Sequence, residues 1–442
     1  MGMNNFLKYT LVALILIVQV SVVYPQLKVG VALPLMKNSP GSPDASTGEM
    51  MLKGIKDAVN EYNLENVETK VEIIIKDTGK DPEMTIEALN SFGNDAKVMA
   101  VIGPVFSAEL VNSAGAAEFH KLPVISPTAT VNFIAEKNPY VFQLNPTYDV
   151  RGRLMAKYAI EKLGMNRFII LSEDTYGKQY AEGFAGEISS TSDSILFAKY
   201  YGKDQWDLST EAADIRRYLE ENDTFIDFGT INVSDLEKLR KIGLTKEMSD
   251  SLILKKYLVS IYKLPGGITP EVLSVSGVTM SPYNSRSFNV IFGIADAIYI
   301  PIARHDEIAK VALALFKQRI NLPILGTSDW NNTESLMGSK DVLPKVYFEA
   351  DFSLTNQQIQ DVKNMNDSER RNYYFGLGSM QILLDLFSKG VTSKNEINDA
   401  LELLKDYETP YNRITIRNRT NHSLKIMRFE KGSLEKIEDF VY

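Results

Sequence analysis

Short apolar runs rich in β-branched residues alternate along this chain with longer stretches whose apolar positions recur every three or four residues. The first pattern predicts buried strands and the second predicts amphipathic helices. Lys28–Leu35 reads as the first strand. A Gly/Pro/Ser loop follows, and then a helix from about Thr47 with Met51, Ile55, Ala58, Val59 and Tyr62 on one stripe. Val71–Lys76 is a second strand, and Asp81-Pro82 opens a helix carrying Ile86 and Leu89. Val98–Val105 is an apolar run ended by Gly103-Pro104; Ser107 is placed to cap the helix that runs through Lys121. Pro123 opens another short strand, Val124-Ile125, which runs out into Ser126-Pro127-Thr128-Ala129-Thr130, and Tyr140–Leu144 follows.

The alternation then restarts. A helix from Asp149 to Leu163 precedes the strand Phe168–Leu171, which ends in Ser172-Glu173-Asp174-Thr175-Tyr176-Gly177. Ile195–Tyr201, Ala297–Pro301 and Leu322–Leu325 are further strands, with helices at Asp207–Glu221 and around Ile308, Val311, Ala312 and Leu315. Lys345–Phe352 reads as a strand, Ser368–Lys389 and Asn395–Leu404 as helices, and Arg413–Ile416 with Leu424–Phe429 as a hairpin-like pair. Strands separated by helices of this length predict parallel, doubly wound sheets, here two α/β units. In such sheets ligands sit at the carboxyl ends of the strands, where Ser107, Thr128 and Thr130 gather in the first unit.

Residues 222–292 break the alternation. They hold polar, helix-like stretches at Ser234–Ile242 and Glu247–Tyr262 and a Pro-Gly-Gly turn at Pro265–Gly267, and read as an insertion on the second unit.

Two stretches, Ile102-Gly103-Pro104-Val105-Phe106-Ser107 and Pro123-Val124-Ile125-Ser126-Pro127-Thr128-Ala129-Thr130, resemble in order and spacing the ligand-binding core of the Leu/Ile/Val-type periplasmic amino-acid-binding proteins, the type I periplasmic binding proteins. The strand end Asp174-Thr175-Tyr176-Gly177 is similar to that family's D-x-Y-G. The resemblance runs from about Leu27 to about Phe429, interrupted by the insertion. It implies two Rossmann-like lobes joined by a three-strand hinge, with the ligand in the interlobe cleft. Lobe 1 would comprise residues 27–145 and 354–410, and lobe 2 residues 146–353 and 411–442.

The same resemblance implies site roles. Ser107 and Thr130 would hold the ligand's carboxylate, since a helix N-terminus favours an anion. Thr128 would accept from its ammonium through the backbone carbonyl, and Tyr176 would close over it. In these relatives an acid two positions after the glycine of Leu325-Gly326-Thr327-Ser328-Asp329 pairs with the ammonium. Here that position is Ser328, and the acid follows at Asp329. Arg304 stands where a tyrosine is expected, and Thr47 where an aromatic is common. The implied ligand is an amino acid or close derivative, with a carboxylate or amide lacking a free amine as the alternative.

Composition narrows the function classes. The 442-residue chain carries a net charge of −8, which argues against nucleic acid as a partner. It contains no cysteine, so disulfides, zinc–thiolate sites and a lipid-modified cysteine are excluded. The three histidines, His120, His305 and His422, are not at metal-ligand spacing. No nucleophile elbow, Walker loop or dinucleotide fingerprint is present, so neither catalysis nor a cofactor is expected. Glu173 and Asp174 are neighbouring carboxylates at a turn and are expected to be solvated. Lys8 followed by the apolar run Leu11–Val23 makes residues 1–26 read as a secretory signal, cleaved or retained as an anchor, with the body extracytoplasmic. The function expected is a monomeric solute-binding protein serving a membrane ABC permease. The alternative is a cell-envelope sensor, regulatory or scaffold protein on the same fold.

Overall fold

The computed structural model describes residues 27–442, apart from residues 40, 67–68, 223–224, 268, 277–279, 283–287 and 291–293. The proposed signal, residues 1–26, lies outside the described residues. The chain forms two compact units. One contains the described part of Met1–Pro127 with Asn138–Phe142 and Asn364–Leu401; the other contains Thr128–Lys137, Gln143–Lys363 and Glu402–Tyr442. Among the described residues no helix is long and apolar enough to cross a membrane.

In the first unit the strands lie in the order Val141–Gln143, Val124–Ser126, Val98–Ile102, Leu27–Leu33, Val71–Asp77. The pairings of Leu27–Leu33 with both its neighbours and of Val98–Ile102 with Val124–Ser126 are parallel. Val29, Val31, Val101 and Ile102 are fully buried, as strands covered by helices on both faces require. The first helix begins earlier than its periodicity suggests, at Pro43, because Ser42 caps it and proline suits the first helical turn. Thr47 therefore sits in a helix rather than a loop. This helix, Pro43–Glu65, packs against Asp367–Ser388 at two glycines. A Cβ on Gly54 would stand 2.0 Å from the Tyr373 carbonyl oxygen, and one on Gly376 would stand 2.1 Å from that of Met51. The two backbones thus touch where only glycine fits.

The second unit holds a seven-stranded sheet. Its order is Ser433–Val441, Ser423–Glu430, Val346–Ala350, Ile324–Gly326, Ala297–Ile300, Arg167–Glu173, Ser194–Tyr201. The last five pair in parallel and the first two are antiparallel additions at one edge. Alternation along the central strands feeds two cores. Ile169, Leu171, Ile298 and Ile300 belong to one, and Phe168, Ile170, Ala297 and Tyr299 to the other.

The C-terminal pairing differs from the one expected. Leu424–Phe429 pairs not with Arg413–Ile416 but with Ser433–Val441, through a turn in which Lys431 and Gly432 both take positive φ. Two such residues in succession are what a tight hairpin needs. The Arg413–Ile414 strand instead pairs with Tyr407–Glu408, and Ile416–Arg417 with Thr420–Asn421.

The insertion has a small core of its own, built from Ile226, Phe228, Leu236, Leu239, Leu244, Ile261, Leu264 and Val272. Helices Val233–Lys241 and Lys246–Leu254 and the paired strands Phe225–Asp227 and Leu258–Ser260 surround it. The helix expected to continue to Tyr262 stops at Leu254, because Lys256 adopts φ 53° and turns the chain into a strand.

Candidate functional site

In the first unit the Val98–Ile102 strand ends at Gly103. A Cβ there would lie 1.9 Å from the Ala32 carbonyl oxygen, and φ is +98°. This tight exit delivers the chain to the helix Ser107–Phe119. Ser107 is half-buried and is the first helical residue, with Phe106 in the cap position, which corrects the expectation that Ser107 caps the helix. The cap is made from inside the helix: Glu109 Oε2 accepts the Phe106 N–H at 3.2 Å. Glu109 is itself buried, and its other oxygen accepts the Thr85 hydroxyl at 3.2 Å. Burial pushes the Glu109 carboxyl up, against hydrogen bonds from Thr78, Phe106 and Thr85. Beside this end of the sheet, the Asp77 carboxylate gathers the N–H groups of Leu35, Met36, Lys37 and Gly79 at 2.8–3.1 Å and fixes the loop after the first strand. Partial burial would raise Asp77, and those backbone donors outweigh it to hold the group below its ordinary range.

Thr128 and Thr130 are half-buried in a segment that groups with the second unit. Its backbone is held by side-chain donors. Gln143 Nε2 donates to the Ala129 and Val131 carbonyls at 3.0 Å each, and Asn145 Nδ2 to that of Thr128 at 3.4 Å. The Tyr148 N–H donates to the Thr130 carbonyl at 3.2 Å.

The Arg167–Glu173 strand ends in the turn that carries Tyr176. Asp174 is exposed, whereas Glu173 is fully buried, which corrects the expectation that both are solvated. Glu173 accepts the Thr175 hydroxyl at 2.5 Å and the Gly177 N–H at 3.0 Å, so it serves the N-terminus of helix Tyr176–Ile188 and fixes the turn. Tyr176 is 49% exposed. Its ring is 6.2 Å from that of Tyr148, which meets the buried Tyr180 edge-on at 4.8 Å.

Arg304 follows the Ala297–Ile300 strand. It is 41% exposed and lies 3.2 Å from Asp306, 3.7 Å from Asp204 and 3.8 Å from Glu307. The adjacent His305 shares a 2.8 Å hydrogen bond, through Nδ1, with the Asp329 carbonyl, tying this loop to the next strand end. There, Gly326 lets the Trp330 indole pack close, since a Cβ would lie 2.4 Å from the ring, and Trp330 Nε1 donates to the Ile300 carbonyl at 2.9 Å. Asp329 is half-buried and Ser328 is 8% exposed.

Ser328 belongs to a buried polar network whose other members were not among the sequence candidates. Arg151, 1% exposed, donates from Nη1 to Ser328 Oγ at 2.9 Å and to Glu349 Oε2 at 2.8 Å. From Nη2 it donates to Asn145 Oδ1 at 2.5 Å and Asp351 Oδ2 at 2.8 Å, and from Nε to the Pro146 carbonyl at 3.0 Å. Glu349 Oε1 accepts the Ser328 N–H at 3.0 Å. Glu349 and Asp351 are both buried. Burial alone would lower Arg151, but the two carboxylates hold it well above its ordinary value. Burial pushes Glu349 up to about 7 against the pull of Arg151. The signal in the sequence was an acid inside an apolar strand, Val346-Tyr347-Phe348-Glu349-Ala350, and an arginine on the apolar side of a helix beside Val150 and Leu154.

This is the fold of the type I periplasmic binding proteins: two α/β units of mostly parallel strands with flanking helices. Residues 26–218 match the family model described as periplasmic binding protein. Among solved structures, a leucine-binding protein from Thermotoga maritima aligns over 94% of this chain and 99% of its own, with a TM-score of 0.53 and 16% identity. A solute-binding protein of an ABC transporter from R. palustris, in complex with 4-hydroxybenzoate, aligns over 94% of this chain and 97% of its own, with a TM-score of 0.54 and 15% identity. In sequence the chain is similar to an uncharacterized protein of Methanocaldococcus jannaschii, 27% identical over 130 residues. That match covers 28% of this chain and 31% of the relative's length.

Proposed function

We propose that this chain is an extracytoplasmic solute-binding protein that captures a small carboxylate, an amino acid or a related acid or amide, and presents it to a membrane ABC permease. The observation that carries the reading is the helix starting at Ser107 directly after a buried parallel strand. Its first-turn N–H groups and positive dipole end suit a carboxylate. Ser107 and Thr130 hold the carboxylate in this reading, Thr128 adds a backbone acceptor, and Tyr176 covers the ligand. Ser328, Asp329 and Arg304 are the further ligand candidates of this reading. The leucine-binding and 4-hydroxybenzoate-bound proteins of like fold support a carboxylate. No catalytic role is assigned to any residue.

A second reading, a cell-envelope sensor or scaffold, is favoured by the insertion, which has its own core and lies outside the matched residues 26–218. A thermal-shift screen against amino acids, small carboxylates and amides separates the two. A ligand at a hundred times its dissociation constant adds about 2.7 kcal/mol of stability. A clear shift with one chemical class is the result expected of a solute-binding protein. A flat response across the whole screen favours the second reading.

A further inference from the structure

The second helix of the insertion ends in a tip that presents apolar side chains and lysines together. Helix Lys246–Leu254 is capped by Thr245, whose hydroxyl accepts the Met248 N–H at 3.2 Å. It closes at Lys256, whose φ of 53° lies in the region usually left to glycine. The Lys256 N–H donates to the Ile253 carbonyl and the Tyr257 N–H to that of Leu252, both at 3.1 Å, which is the Schellman closure of a helix. The Tyr257 carbonyl then accepts the Phe228 N–H at 3.1 Å, and Leu258–Ser260 pairs with Phe225–Asp227. The turn is therefore held by backbone bonds on both sides, yet every residue from Ile253 to Leu258 is exposed. Leu254 is 83% exposed, Leu258 64% and Tyr257 50%. Single exposed apolar residues are ordinary. Ile253, Leu254, Tyr257 and Leu258 on one hydrogen-bonded turn make a patch of the kind that marks an interaction site.

Charge points to the occupant. From residue 238 to residue 263 stand seven lysines and arginines and two acids, a local excess of +5 on a chain whose net charge is −8. Lys255 and Lys256 stand between Leu254 and Tyr257, and the Lys255 ammonium lies 5.7 Å from the centre of the Tyr257 ring. Protein interfaces deplete lysine from their apolar core, where each ammonium would lose its water. An anionic lipid surface takes both kinds of side chain at once. The apolar ones pass below the headgroups, while the lysine stems lie along them and the ammonium ends stay among the phosphates. Tyrosine suits the same boundary. We propose that the tip Ile253–Leu258, with the basic residues around it, docks the insertion on an anionic lipid surface. This inference stands apart from the carboxylate reading.

The chain has no cysteine, so a single introduced one can carry an environment-sensitive nitrobenzoxadiazole label. Ser251→Cys places the label one helical turn before Leu254; Ser190→Cys, at an exposed residue of the same unit outside the insertion, is the control. The readout is local, so attachment through any other segment leaves it silent. The full chain is titrated with vesicles of phosphatidylcholine alone and of phosphatidylcholine with about 30% phosphatidylglycerol. The label at 251 should shift to the blue on the anionic vesicles, the label at 190 should not, and the response should weaken as salt rises from about 0.05 to about 0.5 M. Leu254→Ser with Leu258→Ser should raise the lipid concentration for half response about tenfold or more. Lys255→Gln with Lys256→Gln should raise it on the anionic vesicles, with thermal melts of both double variants unchanged. A silent label at 251 overturns the inference and leaves the patch to a protein partner. An equal response on the two kinds of vesicle, or one unmoved by the leucine pair, overturns it as well.

Discussion

Arg151 and Glu349 form a fully buried ion pair, Nη1 to Oε2 at 2.8 Å, with each side chain 1% exposed. Asp351 completes it at 2.8 Å from Nη2. A buried charge is tolerated only with its partners in place, and removing one partner strands the others. Arg151→Met should therefore cost about 3–5 kcal/mol in urea unfolding, the usual range for breaking a buried pair. Arg151→Lys should recover little, because an ammonium cannot reproduce a planar fork that serves Ser328, Glu349, Asn145, Asp351 and Pro146 together. A loss below about 1 kcal/mol for Arg151→Met would match a surface pair and contradict the role given to burial.

The contact of helices Pro43–Glu65 and Asp367–Ser388 depends on two missing side chains. Gly54→Ala and Gly376→Ala should each destabilise by about 1–3 kcal/mol, since the added methyl meets backbone that cannot swing away. At Gly115, in the helix Ser107–Phe119, a methyl would have nothing within 4 Å of it. Gly115→Ala should stabilise by up to about 1 kcal/mol through helix propensity alone. Opposite signs in thermal melts are the expected pattern; three changes of one sign would show that close approach is not what the first two glycines provide.

His422 makes the fold sensitive to acid. Its ring is buried and stacked on Tyr442, with centroids 5.6 Å apart. Burial, with the nearby Arg417 charge, holds its pKa down to about 4 from an ordinary 6.5. The unfolded chain thus takes the proton first as pH falls. The contribution is complete above pH 6.5 and is lost progressively between pH 6.5 and 4. His422→Phe keeps the stacking ring and removes the titration. Between pH 8 and pH 5 it should lose about 2 kcal/mol less stability than the parent chain, since one proton taken up by the unfolded chain alone costs about 1.36 kcal/mol for each pH unit. Parallel pH profiles for the two proteins would rule this out.

Periodicity reached most of this architecture, because buried parallel strands are apolar at every position and their helices carry a regular stripe. Val98–Ile102 and Asp367–Ser388 were legible on that basis. Ser433–Val441 was not: Phe440 is its only buried residue, so the strand reads as polar surface, and its register is set by the Lys431-Gly432 turn. The strand-end hydroxyls were legible from their order along the chain. The Arg151 network was not, since Arg151 and Glu349 are 198 positions apart and only the packing of the helix Tyr148–Glu161 on the folded sheet brings them together. Glu173 departs from expectation for a related reason. A turn carboxylate normally meets water, but this one turns inward onto the Gly177 N–H.

In the function proposed above, Ser107 is the residue on which carboxylate binding depends most directly. A carboxylate ligand found by the screen should be titrated calorimetrically into the parent chain and into Ser107→Ala, with the fold of each checked by circular dichroism. The expected loss is about 1–3 kcal/mol in binding free energy, because a charge-assisted acceptor gives up a donor. An affinity unchanged in a folded Ser107→Ala protein would contradict the assignment of the carboxylate to this helix end.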